Sequence, residues 1–262
     1  AEWGTLGLSV NFISFGSTVV RGDVDADDLV AYNSSEIVGG LSYGTRFPND
    51  WGLGLSVKFF YSDLSSGAAS GEEEATTFGY AFDIGILKKN LFIDRLNFAL
   101  VLANIGPSVY YVDKSIEDPI PLTWRLGLSY ELLSLTDYKW VIAADYNRET
   151  VYDDAKGKPE PFYKACWKSI VNPERGGDGL TAAKNSLMQG VFNVGTEFIY
   201  SNTIALRLGY LYDQTGKRQE VDFGFGFMLT DVLQFDFATI KDVGDYDGVR
   251  DGQMRFGMLF KF

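Results

Sequence analysis

The chain has 262 residues, a formal net charge of −12, 46% apolar residues, one cysteine and no histidine. That charge argues against a nucleic-acid partner, the lone Cys166 excludes an internal disulfide, and the missing histidine removes the commonest general base and metal ligand. No apolar run reaches the roughly 18 residues of a transmembrane helix, yet a mean hydropathy of −0.04 still suits a barrel, whose lumen face dilutes it.

Twelve segments then alternate with period 2, the spacing that sends successive side chains to opposite faces of a strand. Trp3 to Ile13 sets Leu6, Leu8, Val10 and Phe12 against Gly7, Ser9 and Asn11. Ile37 to Phe47 sets Leu41, Tyr43 and Phe47 against Ser42, Gly44 and Arg46. Trp51 to Tyr61 sets Leu53, Leu55, Val57 and Phe59 against Gly52, Gly54, Ser56 and Lys58. Phe78 to Ile86 and Leu96 to Leu102 continue the pattern, with Asp83 and Asn97 on their polar sides. In the second half, Leu122 to Leu132 puts Arg125 and Glu131 opposite Trp124, Leu126, Leu128 and Tyr130. Tyr138 to Asn147 does the same with Lys139 and Asp145, and Met188 to Tyr200 with Asn193 and Glu197. Ile204 to Tyr212 carries Arg207, Val221 to Leu229 carries Asp222, and Leu233 to Phe237 carries Asp236. The last segment, Gly252 to Phe262, sets Met254, Phe256, Met258, Phe260 and Phe262 against Arg255 and Lys261. The segments run to about 9–11 residues, the length a tilted strand needs to cross a bilayer. Soluble strands are nearer about 5–6.

The connections alternate long and short. The long ones are Gly16–Ser35, Asp63–Thr76, Ile105–Ile120, Arg148–Leu187, Asp213–Glu220 and Asp242–Asp251. Outer-membrane barrels have short periplasmic turns and longer extracellular loops, so the C-terminus is expected on the periplasmic side. The long loops hold most of the acidity, as in Asp23-Val24-Asp25-Ala26-Asp27-Asp28. That run lacks the glycine and terminal glutamate of an EF-hand loop and reads as a solvated face. The reading is one all-β domain over residues 1–262: a transmembrane antiparallel β-barrel of twelve visible strands with a long extracellular loop at 148–187.

Several stretches resemble a known family. They are Leu102–Asp113 (LANIGPSVYYVD), Pro121–Leu132 (PLTWRLGLSYEL), Ala143–Asn147 (AADYN) and Asn193–Asp213 (NVGTEFIYSNTIALRLGYLYD). They are similar to PorV-like outer-membrane barrels of the type IX secretion system, which are related in fold to the FadL fatty-acid transporters. The most specific part is the Asn-Ile-Gly-Pro turn at Asn104–Pro107, followed by the LRLG-type strand. The resemblance implies a complete fold of 14 strands with a plug in the lumen. Twelve are counted here, so the plug and first two strands are expected to be missing from this chain; a native 12-stranded barrel is the alternative. The aromatic terminal strand, with Phe260 and Phe262, resembles the assembly signal read by the barrel-assembly machinery.

No catalytic constellation is visible, and no enzyme activity, cofactor or metal is expected. The inward-facing charges are Arg46, Lys58, Asp83, Arg125, Glu131, Lys139, Asp145, Glu197, Arg207, Asp222, Asp236, Arg255 and Lys261. Their signs nearly cancel, which suits an ion-pair network that rigidifies the barrel or holds a plug. A selectivity filter would show one sign more often. An apolar inner lining is not indicated by the alternation. Phe162, Tyr163 and Trp167 cluster in the longest loop, where aromatics serve either a lid or a protein-docking surface. The function implied by the resemblance is an accessory barrel that binds translocon partners and secreted cargo and passes cargo to surface attachment. The alternative is a FadL-like transporter of hydrophobic small molecules. Either would sit in outer-membrane lipid.

Overall fold

The computed structural model describes residues 3–21, 29–66, 75–112, 117–150, 164, 187–230, 232–244 and 251–260. Phe162, Tyr163, Trp167, Lys261 and Phe262 lie outside them. Twelve strands form one sheet: β1 (Thr5–Arg21), β2 (Leu29–Phe47), β3 (Trp51–Ser66), β4 (Thr76–Lys88), β5 (Leu96–Ile105), β6 (Leu122–Ser134), β7 (Tyr138–Thr150), β8 (Val191–Tyr200), β9 (Ile204–Asp213), β10 (Arg218–Met228), β11 (Leu233–Asp242) and β12 (Met254–Phe260). Each strand pairs antiparallel with its neighbours in sequence, and nothing crosses over.

Period 2 in the sequence becomes two faces in the sheet. On β4, Phe78 keeps 66% of its surface exposed while Thr77 keeps 8% and Ala81 2%. The exposed side is continuous across the sheet, as in the register row Leu206, Phe225, Phe237 and Phe256. An apolar face of this extent is incompatible with water and fits hydrocarbon. This is the outer face; the small and polar residues form the inner one.

The strand ends differ from the sequence reading in two instructive places. β1 and β2 continue well past Ile13 and before Ile37, with pairing out to Arg21 and Leu29. Thr18, Val19 and Val20 pair with Tyr32, Ala31 and Val30, and β-branched residues favour that extension. The acidic run between them had masked it. The connection Asp213–Glu220, expected to be long, is a tight turn at 214–217. Asp213 closes it, accepting from the Gly216 amide at 2.7 Å and pairing with Arg218 at 2.7 Å. On the opposite rim, Asn49 and Asp50 make the β2–β3 turn at φ of 59° and 61°. Asn and Asp tolerate that left-handed region where most residues do not.

β1 and β12 are the two edges of the sheet, and no pairing joins them among the described residues. β12 is exposed along its length and β1 from Thr5 to Gly16, with Leu8 at 81% and Phe256 at 80%.

Candidate functional site

The inner face divides into two sectors of different chemistry. The first spans β8 to β11 and is built around Arg207. Its register partner on β8 is Glu197, and Arg207 Nε donates to Glu197 Oε2 at 2.6 Å. Its Nη1 reaches past β10 to Asp236 Oδ1 on β11, also at 2.6 Å. Gln234 donates to the other oxygen of Asp236 at 2.8 Å. The strand in between permits this crossing because it carries glycine where side chains would block it. A side-chain carbon at Gly226 would sit 2.8 Å from Asp236 Oδ1 and 3.1 Å from Arg207 Nη1. Two carboxylates and one guanidinium thus staple β8, β9 and β11 across β10.

The second sector spans β1 to β5. It holds a trough of about 710 Å³ lined by Thr5, Gly44, Arg46, Gly52, Gly54, Gly85, Leu87, Ala99 and Val101. Gly44, Gly54 and Gly85 stand in one register row, so the floor there is bare backbone. Leu87, Val101 and Phe60 share this face. The alternation did not reveal them, because they stand on the side that otherwise carries small and polar residues. Apolar side chains thus stand on the inner face here, beside Thr5, Arg46 and bare backbone.

The charges expected to form one network fall into separate groups. Lys58 pairs with Asp83 at 2.8 Å, and Lys139 with Glu131 at 3.4 Å. Asp145 accepts from two amides, Asn147 at 2.7 Å and Asn193 at 2.8 Å. Arg255 donates to Gln253 at 3.3 Å. Asp222 lies on β10 opposite Gly209. Arg46 and Arg125 have no ion-pair partner among the described residues. Asn104 is a further polar centre. It accepts from Lys58, and its amide N–H donates to Asp83 at 2.8 Å.

At the rim, Lys241 reaches Asp251 at 2.9 Å, and the Asp242 amide donates to the same carboxylate at 2.9 Å. The Lys241 hydrogen bond and then that amide hold the Asp251 carboxyl below its ordinary range. Phe260 is the last described residue, on the outer face of β12 opposite Leu233.

No family model and no curated protein matches the chain. Among solved structures, the toluene transporter TodX of Pseudomonas putida is similar, with a TM-score of 0.53 at 16% identity over 90% of this chain and 72% of that one. A TodX mutant described as a monoaromatic hydrocarbon channel gives 0.55 at 15% identity over the same shares. At these identities the likeness is one of fold. The chain has the fold of an outer-membrane channel.

Proposed function

We propose that this chain is an outer-membrane channel that carries small apolar molecules along its inner face. The observation behind this is the glycine-floored trough of the second sector, whose only charged lining residue among the described residues is Arg46. Binding sites for small molecules are mostly apolar, with a few placed polar groups. A hydrocarbon entering this sector leaves water for Leu87, Val101 and exposed glycine backbone. The fold of the TodX structures supports passage over cargo hand-over, and the type IX resemblance gives way to the FadL-like alternative.

Uptake of labelled toluene is the test, in cells with an intact outer membrane and no other hydrocarbon channel. Expression of the chain should raise the initial rate severalfold. Gly54→Trp with Gly85→Trp should remove the gain at equal levels of folded barrel, because two indoles fill the trough. Equal uptake with and without the chain would sink the channel reading. Secreted proteins co-purifying with the barrel, without uptake, would restore cargo binding in its place.

The orientation belongs to the same proposal: long connections outside, short turns in the periplasm. In a Cys166→Ser background, single cysteines at 75 and 252 should react with an impermeant maleimide on intact cells. Cysteines at 49 and 202 should react only after permeabilisation. The opposite pattern would invert the topology.

A further inference from the structure

The connection from β5 to β6 was expected to be an extracellular loop, and it turns inward. Asn104 takes the left-handed conformation, with φ of 63°. Two residues on, Gly106 is pressed against β4. A side-chain carbon there would lie 2.6 Å from the Tyr80 carbonyl oxygen and 3.4 Å from Ala81 Cα. Val109 and Asp118 then exchange both backbone hydrogen bonds, at 2.8 and 2.7 Å, which joins the two arms into a hairpin. Tyr111 donates from its hydroxyl to Ser62 Oγ on β3 at 3.2 Å.

Burial beneath the hairpin agrees. Ser62, with 3% of its surface exposed, and Thr77 and Ala81 all lie on the inner face of β3 and β4. The outer side of the same strands is bare. One side chain ties both ends of the hairpin. Asn104 Nδ2 donates to the Pro121 carbonyl at 3.2 Å, so residues seventeen apart are held together. Its Oδ1 accepts from Lys58, whose charge is balanced by Asp83. Few residues could do this. The position needs left-handed backbone, which Asn accepts, together with a donor and an acceptor on one short side chain.

We propose that the hairpin is the size filter of the passage: a strap across the loop-side half of the inner face, positioned by Asn104 and fastened by Tyr111. A molecule entering from the loop side must clear it before reaching the trough. The inference rests on the channel reading above.

The test is single-channel recording of the full chain in planar bilayers, with polyethylene glycols of graded size to find the exclusion limit. Asn104→Ala with Tyr111→Phe should raise conductance severalfold and admit larger polymers. A second measurement is independent of any folding defect in that variant. Ser62→Cys and Tyr111→Cys, with Cys166→Ser, can be joined by a short bis-methanethiosulfonate. Conductance should be low when joined and rise severalfold on reduction. Current with one exclusion limit in every form, joined or reduced, overturns the strap alone. No current in any form overturns the channel reading, and the filter with it.

Discussion

Phe225→Arg should be the most damaging single substitution, lowering the stability of the folded barrel by about 2–4 kcal/mol, the cost of a cation near the bilayer midplane. Phe225 is central in the outer-face row between Leu206 and Phe237. An arginine there faces hydrocarbon with no partner in reach. The matched control is Gly54→Arg on the inner face, where a side-chain carbon meets nothing nearer than the Gly85 carbonyl at 4.0 Å. Urea unfolding in lipid vesicles, followed by heat-modifiable gel migration, should show a large loss for the first and little for the second. Equal losses would mean that the two faces are wrongly assigned.

Gly226→Leu should be next, through a different mechanism. Its new side chain occupies the path by which Arg207 reaches Asp236, and the carboxylate must move away. A hydrogen bond to a charged group contributes about 1.5–3 kcal/mol. The lower end applies here, because Arg207 and Asp236 each keep 33% of their side-chain surface exposed and water screens them. Asp236→Asn in the same background separates the causes. If the loss comes from the broken pair, the second substitution adds little to the first. Full additivity would show that the pair was not what Gly226 protects.

Most of the fold was legible because a membrane strand repeats one simple rule. Outer residues such as Leu206 and Phe225 must be apolar, so every second position reports its side. What the rule reports is direction, and it says nothing about space. Gly226 and Ala205 both lie on the inner side, yet a large residue cannot be placed at either. Ala205 has 0% of its surface exposed, and Gly226 lies under the Arg207 crossing. The apolar sector escaped for a related reason. Phe60, Leu87 and Val101 stand on the side where a polar residue is the default, and counting charges passed over them. The hairpin arms at 104–112 and 117–121 were the hardest to foresee. Their fastening bond joins Tyr111 to Ser62 across 49 positions, and no local periodicity encodes such a contact. The one hint was Asn104-Ile105-Gly106, where an Asn and a Gly sit together at a strand end. The partners of the charged residues depend on register, which fixes Glu197 beside Arg207 and leaves Arg125 beside Val101.

The uncrossed strand order also bears on how the wall is assembled in time. Each pairing joins consecutive strands, so no strand waits for a distant partner. Closing a loop costs entropy that grows only with the logarithm of its length. Five of the eleven pairings close over three or four residues, as at 48–50, whereas β7 meets β8 across residues 151–190. The extra loop entropy of that one step is on the order of 2 kcal/mol. The Arg207 staple lies wholly on the C-terminal side of this step, and the glycine trough wholly on the N-terminal side. The two chemistries of the inner face therefore fall on either side of the β7–β8 seam, the pairing with the largest loop entropy to overcome.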